Sequence, residues 1–255
     1  MRRVPSGLVG MVGLFAVWEA ASRSEVVPSN YLVPPSIVLP TMVSMLGDIE
    51  FLRAVIATVL AAVIALAIAV AVAVPAGLVL GSVPAVRRAA MTLVEFLRPI
   101  PSVALIPLAM MTFGTGPETK ITLAVYAAVW PILFNTIYAL DELDPLHVDT
   151  ARAFGTSRVG VLTRVALPSA APFVLTGVRL SAAMALAVVV STELLSGGTP
   201  GIGRYIMVAN SSGSYMDEVL AGTVLAGLIG YAANAGLERL HRRLFSWSTP
   251  KGVDQ

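Results

Sequence analysis

The chain has 255 residues, 56% of them hydrophobic and only 13% charged, with a formal net charge of +2 and a mean hydropathy of +0.83. An ordinary soluble domain carries about 25% charged residues, so this composition cannot cover a water-facing surface and specifies an integral membrane protein. The small net charge gives no basis for nucleic-acid binding. The absence of cysteine excludes disulfides and thiolate chemistry, and two histidines, His147 and His241, make a poor basis for zinc.

A spanning helix needs about 20 apolar residues, and six stretches meet that demand. They run from about Val4 to Ala21, Ala54 to Ser82, Ala89 to Phe113, Ile121 to Leu140, Pro168 to Leu195 and Val219 to Leu237. The expectation is one all-α transmembrane domain over residues 1–255, with six spans and a polar segment, 145–168, between the fourth and fifth. The second stretch is the clearest, bounded by Arg53 and Arg87 with no charge between. No segment shows the alternating pattern of a barrel strand.

The first stretch, Met1-Arg2-Arg3 followed by an apolar run and Ala20-Ala21-Ser22, reads either as a retained helix or as a signal peptide. A retained helix keeps the span number even, and its Gly7, Gly10 and Gly13 would let a neighbour approach. Lysine and arginine near the span ends set direction. With both termini inside, Arg2, Arg3, Arg87, Arg88, Arg152, Arg158, Arg164, Arg239, Arg242, Arg243 and Lys251 lie inside, against Arg23, Arg53, Lys120 and Arg204 outside.

Within the third stretch an ionisable group at mid-bilayer costs about 2.5–3.5 kcal/mol on insertion scales, so Glu95 and Arg98 need a partner or a cavity. Spacing of three allows them to pair with each other; the alternative is that Arg98, Arg179 in the fifth stretch, or both face a pathway and offset an anionic solute. Pro99, Pro101 and Pro107 crowd this stretch, and Pro75 and Pro131 interrupt the second and fourth. The result is either bent packing or, at Pro99 to Pro101, a non-helical pathway lining. Asn135 in the fourth stretch is a candidate for bonding a neighbouring helix or lining the pathway.

Next comes the polar segment. Asp144 can cap a helix beginning at Pro145, Asp149 and Arg152 share a face, and Gly155 suits a left-handed end. Thr156-Ser157 can cap a second helix that Leu167-Pro168 should end. Leu146, Thr150, Ala153 and Phe154 form an apolar stripe, which either packs on this chain's own membrane domain or enters a groove on a cytosolic partner. Glu193, near the outer end of the fifth stretch, reads either as a gate or docking-rim residue or as a solvated end residue. The stretch from Ser196 to Asp217 reads as a mobile outer loop.

The segment Asp149-Thr150-Ala151, Gly155, Val165, Leu167-Pro168 resembles the EAA motif of ABC-importer permeases, Glu-Ala-Ala, three residues, Gly, nine residues, Ile, one residue, Leu-Pro. Every spacing is kept, with Asp, Thr and Val as substitutions. The likeness extends over nearly the whole chain, through Leu32-Val33-Pro34-Pro35-Ser36, Arg98 to Leu108, Phe113 to Gly116, Pro131 to Thr136 and Leu167 to Leu180, and is to permeases of the aliphatic-sulfonate, taurine and nitrate type. This resemblance implies a pathway subunit of an importer, moving a small sulfonate-, nitrate- or vitamin-precursor-like solute inward across a bacterial-type cytoplasmic membrane. It implies as partners a second copy of the chain, two cytoplasmic ATPase subunits and an extracytoplasmic binding protein. It also implies that Asp149, Thr150, Ala151, Arg152, Ala153, Phe154, Gly155, Leu167 and Pro168 couple to the ATPase. The chain itself carries no phosphate-cradling Gly-x-x-x-x-Gly-Lys-Ser/Thr loop, so ATP and magnesium are expected in the partner and no cofactor in this chain. An ion-gradient-driven secondary transporter is the alternative, though no internal repeat of the kind such carriers often show is evident.

Overall fold

The computed structural model describes residues 6–24, 28, 31–211 and 215–245. Within them the chain is helical: α1 (Ser6–Arg23), α2 (Pro35–Met45), α3 (Ile49–Ser82), α4 (Pro84–Leu97), α5 (Ile106–Phe113), α6 (Pro117–Asp141), α7 (Pro145–Ala153), α8 (Arg158–Val161), α9 (Leu167–Ser196), α10 (Ile202–Ser211) and α11 (Met216–Leu244). Four helical stretches among the described residues are long and apolar enough to cross a membrane: Ile49–Ser82, Pro117–Asp141, Val159–Ser196 and Met216–Leu244. The bent pair Pro84–Leu97 and Ser102–Phe113 brings the number to five if its two halves form one broken span. The helix α1 is not among them, since Glu19 and Arg23 interrupt its apolar character, and the expected start at Val4 lies outside the described residues, as do Arg2, Arg3 and Lys251.

The core is a bundle of α3, α6 and α9 held together by small residues. On α3 one face buries Ala54, Thr58, Ala61, Ala65, Ala69, Ala73 and Gly77, at steps of three and four. On α9 the matching face is Ala170, Gly177, Ser181 and Ala185. Small side chains let apolar helices meet backbone to backbone, where close packing rather than the hydrophobic effect supplies the attraction in lipid. A Cβ added at Gly177 would stand 2.9 Å from the Pro131 carbonyl and 3.0 Å from the Asn135 Cβ of α6. The hydroxyl of Ser181 donates to the Ala128 carbonyl at 2.6 Å across the same seam. Outside it, α11, α2 and the first turn of α3 share a second cluster of Val38, Met42, Met45, Phe51, Ala221 and Leu225.

The third stretch is broken at Pro99–Pro101, as its crowded prolines predict, and α4 and the segment Ser102–Phe113 meet at 77°. Pro99 and Pro101 deny two amide donors within one turn, so the helix stops at Leu97 and restarts through a 3-10 turn at Ser102–Leu105. Three other expectations are corrected. Helices α3 and α6 run through Pro75 and Pro131 without interruption. Leu167-Pro168 does not end the helix before it. A π-helical turn at Leu162–Ala166 joins α8 directly to α9, widening the backbone where the proline ring would otherwise meet the preceding turn. Finally, much of the expected outer loop from Ser196 to Asp217 is the ordered helix α10, with Ile202, Gly203, Ile206 and Ala209 buried; residues 212–214 lie outside the described residues.

Candidate functional site

At the end of the bundle where α3 finishes, Arg87 and Asp141 form a two-toothed ion pair at 2.7 and 2.8 Å, tying the start of α4 to the end of α6. Beyond it α7 projects. The Asp144 carboxylate accepts from the Leu146 amide at 2.9 Å, with Pro145 at the first helical position, so both sequence signals for a helix start are used. At the other end Gly155 adopts φ 76°. Its amide donates to the Arg152 carbonyl at 2.9 Å, while the Thr156 amide donates to the Ala151 carbonyl at 3.0 Å. That pair of bonds is the Schellman closure, which needs a left-handed residue where glycine stands. The Gly160 amide then donates to the Ser157 hydroxyl at 3.2 Å and starts α8. The chain therefore turns a hydrogen-bonded corner and, after the non-helical Thr156 and Ser157, enters the long α8–α9 rod.

Nothing on α7 is buried. The apolar stripe faces away from the chain: Leu146 is 68% exposed and Phe154 is 86% exposed, with Thr150 and Ala153 open beside them. Packing of this stripe on the chain's own membrane domain, one of the two readings of its spacing, is thus not what the fold does. Asp149 and Arg152 lie 3.8 Å apart on the polar side, both well exposed. Leu167 and Pro168 sit at the junction of the π turn with α9.

The intramembrane charges fall into different surroundings from those expected. Among the described residues no ion pair joins Glu95 to Arg98; both are exposed, and the Arg98 guanidinium instead lies 4.5 Å over the Phe134 ring. Arg179 is tied to α11, donating to Asn234 Oδ1 at 2.8 Å and standing 3.6 Å from Glu238. Asn135 bonds its own helix rather than a neighbour, its amide donating to the Pro131 carbonyl at 2.8 Å. Pro99 and Pro101 are exposed in the break, where the Leu97 carbonyl accepts from the Tyr126 hydroxyl at 2.6 Å.

Glu193 is neither solvated nor on a rim: it is fully buried. Its carboxylate takes Lys120 Nζ at 2.6 Å, the Thr58 hydroxyl at 2.8 Å and the Gly203 amide at 3.2 Å. Thr58 also accepts from the Ile202 amide, and Lys120 donates to the Pro200 carbonyl. Both carboxylate oxygens accept hydrogen bonds and the ammonium makes two, the kind of support an ion pair needs to survive removal from water. The cluster pins the turn before α10 onto α3, α6 and α9. Sequence reasoning placed Lys120 among the outer surface charges and missed Thr58. The available signal was charge balance: an acid inside an apolar helix calls for a cation at the same level.

Above that cluster a groove of about 920 Å³ opens between the starts of α3 and α11 and the outer face of α10. Glu50, Arg53, Arg204, Tyr205 and Glu218 line it. Burial, then the carboxylates of Glu218 and Asp48, push the Tyr205 hydroxyl up to about 12, so it stays a neutral donor.

Residues 73–246 match the model of the family described as binding-protein-dependent transport system inner membrane component. The taurine transport system permease protein TauC of Escherichia coli (strain K12) is 30% identical over 253 residues, covering 96% of this chain and 90% of that protein. The nitrate import permease protein NrtB of Leptolyngbya laminosa is 29% identical over 159 residues, 62% of this chain and 56% of that one. Among solved structures, the inward-facing MetNI methionine ABC transporter gives a TM-score of 0.67 at 19% identity, covering 75% of this chain and 94% of the matched chain, a likeness of fold.

Proposed function

The chain belongs to the family of binding-protein-dependent transport inner membrane components, the multi-pass permease subunits of ABC importers, and from that premise we propose how this permease is coupled and what it carries. Members of the family are not themselves enzymes and work with ATPase and binding-protein partners. In this reading two copies of the chain form the pathway, two cytoplasmic ATPases that hold ATP and magnesium bind beneath them, and both termini face the cytoplasm. The solute is a small oxyanion or sulfonate, moved inward.

The observation that carries the coupling assignment is the open stripe Leu146, Thr150, Ala153 and Phe154 on α7. An apolar helix face left unburied on an otherwise polar projection suits a groove on a cytosolic subunit. Because α7 turns through the Gly155 corner into a continuous rod running to Ser196, a push on α7 moves α9 as a lever. Arg87, Arg152 and Arg164 at this end support a cytoplasmic placement by the bias of positive charge. The groove between Arg53 and Arg204, at the opposite end, is the corresponding place for the binding protein.

The test is purification of the tagged chain in mild detergent with identification of its companions. A stoichiometric ATPase that is lost in Phe154→Asp supports the assignment. Recovery of the chain alone from several detergents favours an ion-gradient-driven carrier, and an ATPase retained by Phe154→Asp removes α7 as the contact.

A further inference from the structure

Among the described residues, two of the charges expected within the membrane, Glu95 and Arg98, have no ion-pair partner, and both are exposed. Lys120 meets Glu193, and Arg179 meets Asn234 and Glu238. Arg98 has no carboxylate within ion-pair distance among the described residues; its guanidinium rests on the face of Phe134 alone. Counted along α6 at 1.5 Å per residue, Phe134 lies about 10 Å and Trp130 about 16 Å from the Asp141 end, in a hydrocarbon core about 30 Å thick. That depth is below the headgroups. A cation held there on a π face keeps most of its hydrogen-bonding capacity unspent.

The α6 surface beneath the break repeats every fourth residue: Tyr126, Trp130, Phe134. Tyr126 is fixed by its bond to the Leu97 carbonyl and stacks edge-on against Trp130 at 5.5 Å. The Trp130 indole nitrogen is buried and has no hydrogen-bond partner. A buried donor without an acceptor is uncommon, and here it stands one helical turn from the aromatic ring that carries the unmatched guanidinium. Both groups can only donate.

We propose that Arg98 and Trp130, at the Pro99–Pro101 break, form a transient station for an oxyanion, with Phe134 holding the guanidinium and Tyr126 holding the break open. The planar guanidinium fork suits a sulfonate, carboxylate or nitrate-like group, and the indole N–H supplies a further donor. Attraction to a π face is weaker than a carboxylate bond, so the arginine is released to a passing anion and returns afterwards. This station deepens the importer reading and rests on it.

The experiment uses the full chain in phosphatidylcholine nanodiscs, with Trp18→Phe and Trp247→Phe leaving Trp130 as the sole tryptophan. Its emission is titrated with taurine, methanesulfonate and bicarbonate against chloride at equal ionic strength. The expected result is a saturable response to at least one of the three, weakened at least tenfold by Arg98→Gln, a few-fold by Phe134→Leu, and retained in part by Arg98→Lys. No saturable response to any, or equal affinity in Arg98→Gln, overturns the station. If Arg98→Gln is not recovered folded, unchanged affinity in Phe134→Leu does so. A response that appears only with phosphatidylglycerol in the disc assigns Arg98 to lipid phosphate instead. Glu95→Gln that separates the copies just as Arg98→Gln does assigns Arg98 to a salt bridge between them. Failure of the importer reading is distinct, since it shows as absence of an ATPase in the purified complex while anion binding persists.

Discussion

Lys120 Nζ lies 2.6 Å from Glu193 Oε1, with the lysine side chain 4% exposed and the glutamate wholly buried, linking α6 to α9 at the outer end of the bundle. Removing one member leaves the other charged and unpaired, which costs about 3–5 kcal/mol. Glu193→Gln and Lys120→Met should each lower the melting temperature in detergent sharply, and should loosen α10, read as faster hydrogen exchange over 200–206. The double variant Lys120→Met/Glu193→Leu should recover part of the loss. A single variant that melts with the wild type would show that the pair holds nothing.

Gly155 adopts φ 76°, although an added Cβ would meet nothing within 4 Å. Gly155→Ala should therefore cost only about 1–2 kcal/mol, the penalty of a left-handed L-residue, and preserve assembly. Gly155→Pro cannot adopt that φ and removes the amide that closes the corner. It should leave the chain inserted but uncouple transport, read as loss of solute-stimulated ATP hydrolysis in the assembled complex. Normal stimulation in Gly155→Pro would rule out the corner as a transmission element.

Two glycines make a matched comparison of packing. Gly177 faces the Pro131 carbonyl at a distance no real Cβ tolerates, whereas Gly227 on α11 has open space. Gly177→Val should destabilise by about 1–3 kcal/mol by forcing α9 off α6. Gly227→Ala should be neutral or stabilising by about 1 kcal/mol, because alanine is the better helix former. Thermal unfolding of both in one detergent checks the contrast, and equal effects would contradict the seam.

Arg179 is engaged by Asn234 and Glu238, so Arg179→Gln should act on structure rather than on solute. Its side chain and that of Glu238 are each more than a third exposed, and the loss should be about 1 kcal/mol or less. Uptake at limiting solute should match the wild type. A fall in uptake with unchanged stability would return Arg179 to the pathway.

Much of this protein is written locally in its sequence. Composition and apolar run length decide that it lives in a bilayer, because hydrocarbon admits only segments that satisfy their own backbone. The cap at Asp144, the proline after it and the left-handed Gly155 are one-residue signals whose physics is complete within a turn of chain, so the corner they build follows from the order of residues. The break at Pro99–Pro101 is local for the same reason. What only the tertiary structure decides is which charges find each other. The pairing of Lys120 with Glu193 spans 73 residues and that of Arg179 with Asn234 spans 55, and both depend on which helices pack side by side. Spacing within one helix favoured Glu95 with Arg98, but that geometry is unused, and Arg98 lies on a ring contributed by α6. The same holds for α7: its apolar stripe is legible by periodicity, while its exposure is a property of the whole fold, set by what the rest of the chain leaves uncovered.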